Sequence, residues 1–318
     1  MEDNVKTYSH FLNGRTDGQA LLALKDVIAS GLSAEILETA QVKLFNESTE
    51  VLKKRLGFAK IHGLNLLQSY RLIEFPYFNQ ASDISFYEYK PFPTLYSDKE
   101  DGKARKYLHP KGVPSTPYII PAVWEIKNKV NKPLWITEGV KKVLKLIQHD
   151  RPCIGISGVW NFKAGKDSDE TDSKYLWQDL EAFRWTGRTV YIGFDADLWI
   201  NPMVRRALYE LAFKLQGLGA AIRFPLWQGA KGIDDFLSLQ KEPAKILLDM
   251  ENHAKELKHF GSQEHHGEIM EALYKTVQGG HSTTTEKNPC FSSGPDIEVK
   301  RPGYCKGYQE TPADRKQK

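Results

Sequence analysis

Leu134-Trp135-Ile136-Thr137-Glu138-Gly139, Val190-Tyr191-Ile192-Gly193-Phe194-Asp195-Ala196-Asp197 and Lys231-Gly232-Ile233-Asp234-Asp235-Phe236-Leu237 are the stretches whose reading decides the fold. In the first two, an apolar, β-branched or aromatic run stops at an acidic residue and gives way to a helical pattern. That is the mark of a strand feeding a helix in a parallel α/β sheet. Open sheets of this kind place their chemistry just beyond the carboxyl ends of the strands. Glu138 and the Asp195/Asp197 pair are therefore expected to converge, and converging carboxylates repel unless a cation sits among them. Carboxylate oxygens suit Mg²⁺, a hard ion that binds through one or two carboxylates plus waters and substrate phosphates.

The order of these stretches, Glu-Gly at a first strand end, Asp-x-Asp at a later one and then Gly-x-Asp-Asp-Phe-Leu, resembles the Toprim domain of topoisomerases, bacterial-type primases and related nucleases. It is most similar to the Toprim-like modules of plasmid and phage replication proteins, a family of largely unknown function. Three further motifs of those modules occur here: Glu138-Gly139-Val140-Lys141-Lys142, Gly158-Val159-Trp160-Asn161, and Asn201-Pro202-Met203-Val204-Arg205-Arg206-Ala207-Leu208. The resemblance covers residues 100–240 well and the N-terminal third weakly.

The resemblance implies a Toprim-like Rossmannoid α/β core with a mostly parallel sheet flanked by helices, preceded by a small α+β subdomain. It implies Glu138 as general acid/base or metal ligand, and Asp195, Asp197 and Asp234 as holders of Mg²⁺ or Mn²⁺. In two places the chain departs from replicative primases, which carry aspartates where Lys142 and Gly232 stand. Lys142 removes an acidic group and adds a positive charge beside the expected metal site. An N-cap role is the plain alternative for Asp234 or Asp235, as first-turn placement is for Glu138.

Composition sets the bounds. With 41% hydrophobic and 26% charged residues over 318, the chain reads as an ordinary soluble protein with enough apolar material for one good core or two modest domains. No apolar run approaches the roughly 18 residues of a membrane span, and the acidic Met1-Glu2-Asp3-Asn4 start lacks a signal region, so the expected location is the cytoplasm. Cys153, Cys290 and Cys305 are too few and too scattered for a disulfide framework or a zinc ribbon. A net charge of +4 permits a nucleic-acid partner without arguing for one.

In chain order, residues 18–46 read as a helical hairpin with Gly31 as its stop signal, which is ordinarily packing material. Residues 72–77 and 84–89 alternate and are rich in aromatics, as strands of a small sheet are. Lys103, Arg105, Lys106 and Lys111 then form a basic segment. It reads either as a row of phosphate contacts with Tyr107 stacking on a base, or as a solvated loop with an inward tyrosine. Lys142 and Arg205 join it as candidate phosphate-binding residues. Gly158 is expected at a positive φ or a close approach, Cys153 in the core, and the 167–172 acidic cluster in solvent. Gly165-Lys166 lacks the spacing of a Walker phosphate loop. Residues 175–183, 243–260 and 264–277 read as helices, with His265 and His266 solvated. The expected organisation is a helical region over 1–69, a basic α+β subdomain over 70–131, the core over 132–245, helices over 246–278 and a disordered tail over 279–318.

The functional expectation is a Mg²⁺-linked, primase-like nucleotidyl transferase of mobile-element DNA replication. Its partners would be DNA, single-stranded by preference, and nucleoside triphosphates, with room for a separate helicase and no membrane. A Toprim nuclease and a non-catalytic DNA-binding or helicase-recruiting adaptor are the alternatives, the latter if Lys142 and Gly232 disarm the metal site.

Overall fold

The computed structural model describes residues 2–58, 71–96, 104–163, 176–196, 201–227 and 229–256. Asp197, Lys103, the 167–172 cluster, His265, His266, Cys290, Cys305 and the tail lie outside them, as does the 264–277 helix.

Two short helices, α1 (Glu2–Thr7) and α2 (Ser9–Leu12), precede the helical hairpin, which is α3 (Gly18–Ala29) and α4 (Ala34–Thr39). Asp17 caps α3 by accepting from the Gln19 and Ala20 amides, and Ser33 caps α4 through the Ile36 amide. Strand β1 (Lys43–Leu44) and helix α5 (Thr49–Leu56) lead to β2 (Arg71–Phe78) and β3 (Ile84–Phe92). β1, β2 and β3 form an antiparallel sheet in that order, with β2 and β3 in register from Arg71↔Phe92. A two-stranded ribbon follows, β4 (Leu95–Tyr96) with β5 (Ala104–Arg105).

After the single turn α6 (Pro121–Trp124) comes the core sheet. It runs through β6 (Leu134–Glu138), α7 (Val140–Ile147), β7 (Cys153–Ile156), α8 (Gln178–Glu181), β8 (Thr189–Gly193), α9 (Pro202–Gly217), β9 (Ala221–Phe224), α10 (Ile233–Ser238), α11 (Pro243–Asn252) and β10 (Lys255–Glu256). The strand order is β10-β9-β8-β6-β7, parallel throughout except for the β10 edge. Strands covered on both faces read as continuous apolar runs, and β6 and β7 obey this: Leu134, Trp135, Ile136, Cys153, Ile154 and Ile156 are all buried. The mostly parallel α/β sheet flanked by helices, with a small antiparallel sheet before it, is the expected fold class.

Local expectations change: the helical reading of 18–46 stops at Thr39, with β1 at Lys43–Leu44 beyond it, and two later helices are shorter than read. The helix expected over 175–183 is the single turn α8, and that expected over 243–260 ends at Asn252. The chain then returns as β10, antiparallel to β9, where Arg223 Nη1 meets Glu256 Oε1 at 3.0 Å. By contrast α9 opens as read, with Asn201 capping the Met203 amide and Val204, Leu208, Leu211, Ala212 and Leu215 buried. Among the described residues no helix is long and apolar enough to cross a membrane.

One hydrophobic core runs from Phe75 and Tyr77 of the small sheet through Tyr118 and Trp124 to Ile136 and Ile154 of the large one. Gly155 lets them close up. Tyr118 exchanges both backbone hydrogen bonds with it, and a Cβ there would lie 2.7 Å from Val143 Cγ2 and 3.3 Å from Tyr118 Cβ. Both neighbours are buried, so neither yields freely. Gly155→Ala is expected to cost about 1–3 kcal/mol by overpacking, read as a lowered urea midpoint at unchanged m-value.

Candidate functional site

The chain crosses from β6 to β7 on one side and returns to lay β8 on the other side of β6. That reversal leaves a crevice beyond the carboxyl ends of β6 and β8, the place where open α/β sheets bind ligands. Glu138 ends β6. Asp195 follows β8 by two residues, and Thr137 Oγ1 donates to Gly193 O at 2.7 Å to hold the two strand ends together. The Ala196 amide donates to Lys231 O at 3.0 Å, which draws the start of α10, and with it Asp234, to the same place. Glu138, Asp195 and Asp234 accordingly line one cleft of about 610 Å³.

Lys142, in the first turn of α7, stands among them. Its Nζ lies 3.0 Å from Asp195 Oδ1, with the two side chains only 17% and 14% exposed. Burial works to push the Lys142 pKa down, but Asp195, Asp234 and Glu138 outweigh it and hold it above the usual lysine value. Gly232 is the N-cap of α10 and Asp234 its second residue, with no side-chain cap at this end. The N-cap explanation of Asp234 therefore does not apply. Asp234 is buried, and its Oδ1 has no hydrogen-bond partner among the described residues.

The donors fit a hard divalent ion in chemistry, and the expected ligand Asp197 lies outside the described residues. Among the described residues no three carboxylates, histidines or cysteines are grouped so as to hold one ion. The Lys142 ammonium stands beside Asp195, with Asp234 and Glu138 close enough to raise its pKa.

Further lysines line the same cleft. Lys90 of β3 and Lys141 of α7 share one carboxylate: Lys90 Nζ lies 2.8 and 2.7 Å from the Asp26 oxygens, and Lys141 Nζ 3.3 Å from each, with Ser30 Oγ at 2.7 Å. Burial, then the Lys141 charge, lowers the Lys90 pKa against the pull of Asp26. Two ammoniums against one carboxylate leave an excess positive charge. Lys90, Lys106, Lys141 and Lys231 all line the cleft. Sequence reasoning had no signal for the Lys90–Asp26 pairing, whose members are 64 residues apart; Lys141 was visible only as part of its motif.

The other expected phosphate contacts separate. Lys106 is exposed on the cleft, and the Arg105 backbone lies in β5. Lys111 sits elsewhere, donating its amide to Leu56 O at the end of α5. Arg205 is half-buried in α9 and does not line the cleft among the described residues. Tyr107 packs on Phe75 with ring centroids 6.2 Å apart, and burial pushes its hydroxyl pKa well up, as an inward tyrosine requires. Gly158 has φ +120°, and the turn after it is closed by Asn161 Nδ2 donating to Ser157 O at 2.7 Å. Cys153 is buried, which pushes its thiol pKa well up, as a core cysteine's would be.

Glu88, also on the cleft, accepts from Tyr77 Oη at 3.2 Å and faces His109 Nδ1 at 3.6 Å. His109 Nε2 lies 2.9 Å from Val113 O. If Nε2–H donates there, a neutral ring turns its Nδ1 lone pair toward the carboxylate, and protonation makes that nitrogen a donor. The Glu88 contact accordingly raises the His109 pKa against burial, which lowers it.

Two measurements check this geometry. Lys142→Met removes one partner of a mostly buried pair and is expected to cost about 2–4 kcal/mol at pH 7 by urea denaturation, toward the low side because some solvent reaches both groups. The folded pKa of His109 lies above its unfolded value. Its contribution is therefore full below about pH 6.5 and lost as pH rises through the folded pKa. A urea-midpoint series from about pH 5 to 8 should show this loss in the wild type and not in His109→Gln.

A domain family described as a domain of unknown function (DUF3854) matches residues 123–244. An uncharacterized protein of Picosynechococcus sp. is 26% identical over 190 residues, which is 50% of this chain and 19% of that protein. The chain thus spans about a fifth of that curated relative. Among solved structures, the Aquifex aeolicus primase, with its zinc-binding and RNA polymerase domains, superposes with a TM-score of 0.53 at 14% identity, over 86% of this chain and 65% of that one. The RNA polymerase domain of Mycobacterium tuberculosis primase DnaG, in complex with a double-stranded DNA oligomer carrying a 6-nucleotide overhang, gives 0.51 at 14% over 91% and 93%. A DnaG primase catalytic domain bound to single-stranded DNA gives 0.51 at 13% over 88% and 93%. The fold is that of a primase catalytic core.

Proposed function

We propose that this chain is a primase-like, nucleic-acid-binding module of mobile-element DNA replication, whose strand-end cleft grips the phosphates of a DNA strand or a nucleotide. The observation that carries this reading is the cleft itself. It lies at the strand-order reversal of a primase-core fold and is lined by Lys90, Lys106 and Lys141 together with carboxylates. Proteins of similar fold are known in complex with single-stranded DNA and with an overhanging duplex, which supports a strand as the ligand.

In this reading the lysines hold phosphates by charge, and Asp26 keeps Lys90 and Lys141 extended toward them. Asp234 Oδ1 offers an acceptor for a ligand hydroxyl or amine. Metal-assisted nucleotidyl transfer with Glu138 as general acid/base, implied by the Toprim resemblance, is the second reading. It needs Glu138, Asp195 and Asp234 freed from Lys142. The Lys142–Asp195 ion pair favours binding without transfer.

Fluorescence anisotropy with a labelled single-stranded oligonucleotide tests the proposal. Binding should weaken with salt, and Lys106→Ala and Lys90→Ala should each lower affinity several-fold and reduce the salt slope by about 0.7. Absence of binding at low salt would defeat it. Oligoribonucleotide synthesis on the same strand with Mg²⁺ or Mn²⁺, abolished by Asp195→Asn, would establish the second reading in its place.

A further inference from the structure

Gly232 has φ −101° and ψ 154°, an extended conformation open to any residue. Backbone geometry therefore does not require glycine there, but space does. A Cβ at this position would lie 2.6 Å from Lys142 Cε and 2.5 Å from Asp234 Oδ1. Both contacts are closer than real Cβ atoms come, and neither neighbour is a loose surface end. Asp234 is 6% exposed, and the Lys142 side chain is held in place by Asp195 at 3.0 Å. The bare backbone at 232 and the lysine at 142 are thus two halves of one arrangement, drawn from two helix starts some ninety residues apart in the chain.

We propose that the Lys142 ammonium is the resident cation of this carboxylate pocket, with Gly232 clearing the room for its stem, so that the cleft takes its phosphates without a divalent ion. Three carboxylates brought to one crevice need a neutralising charge whether or not a ligand is present. An ammonium tethered to α7 supplies it at fixed position and at any metal concentration. It offers one charge against these three carboxylates; four further lysines, Lys90, Lys106, Lys141 and Lys231, line the cleft, as do Glu88 and Asp235. When a phosphate enters, it meets ammonium groups rather than a metal ion and its waters.

The inference deepens the binding reading, and rests on it only for the phosphate arm of the test. Mn²⁺ binding is measured on the full chain by the loss of the free-ion paramagnetic resonance signal. The wild type should bind Mn²⁺ no more tightly than Asp195→Asn/Asp234→Asn, whereas Lys142→Ala or Lys142→Met, taking away the ammonium beside Asp195, should bind it at least about tenfold more tightly. Clearance is read by thermal unfolding. Gly232→Ala should lower Tm in the wild type and lower it less in a Lys142→Ala background, because the obstructing stem has gone. If Lys142→Ala does not fold, Lys142→Met retains the stem and carries the Mn²⁺ comparison.

Tight Mn²⁺ uptake by the wild type that Asp195→Asn abolishes, or a Gly232→Ala cost equal in both backgrounds, would overturn the proposal. In the phosphate arm, single-stranded DNA affinity should be the same in EDTA as in Mg²⁺, and a tenfold loss in EDTA would also overturn it. Should DNA fail to bind under either condition, the functional reading falls, while the Mn²⁺ and Tm results still decide the role of Lys142.

Discussion

Charge balance at the ends of β6 and β8 is the constraint on which the rest of the site depends. A parallel sheet points all its carboxyl ends to one edge, and here two adjacent ends and a nearby helix start each deliver a carboxylate to that edge. The main chain enforces the approach, through the Thr137 bond to Gly193 and the Ala196 bond to Lys231, so the acids cannot relieve their repulsion by moving apart. Removing charged groups from water is costly unless they are paired. The Lys142–Asp195 contact answers that cost from inside the chain, and it is available because only Gly139 separates the end of β6 from the start of α7.

The sequence disclosed those parts of the fold that follow a local period. β6, β7, β8 and β9 were legible because a doubly covered strand is a short apolar run, and α9 because Asn201-Pro202 and the 3.6-residue stripe agree. The acidic triad was legible in part for a related reason: Glu138 and Asp195 sit where such runs stop. What was hidden is non-local. β10 is a two-residue edge whose pairing with β9 has no pattern of its own, so residues 255–256 read as more helix. Helix α8 is one turn because Trp185 and Phe183 leave the helical path to enter the core. Tyr107 and Lys111, neighbours in a basic run, part company because one packs on Phe75 and the other is tied to α5. A charge run says how many cations a segment carries and nothing about where each of them turns.

The N-terminal hairpin shows the same limit more sharply. By composition α3 is packing material, and Ala20, Ala23, Leu24 and Val27 behave as such. Its polar face nevertheless carries Asp26 and Ser30 against Lys90 and Lys141, which come from the small sheet and from the first turn of α7. One helix therefore joins both sheets at the cleft and fixes the direction of two of its lysines. An ammonium on a free four-carbon stem spends much of its time in solvent and loses rotamer entropy when a ligand orders it. Lys90 and Lys141 are already ordered by Asp26, so in the proposed reading a phosphate arriving between them would meet a charge whose ordering cost was met during folding.

The cleft thus contains two electrostatic devices built on one plan. In each, a carboxylate and an ammonium from distant segments hold one another in the absence of ligand: Asp26 with Lys90 and Lys141, Asp195 with Lys142. They differ in the sign of what is left over. Around Asp26 the surplus is positive, which is suited to attracting an anion. Around Lys142 the surplus is negative and mostly buried, where Glu138 and Asp234 raise the ammonium's pKa and keep it charged. In the proposed reading an anionic strand is drawn to the first and discouraged from the second, so the two together would set where along the crevice its phosphates lie. Sequence spacing could not give that polarity, because it depends on which ammonium each carboxylate meets, and those meetings are made by α3 and Gly232 rather than by the motifs.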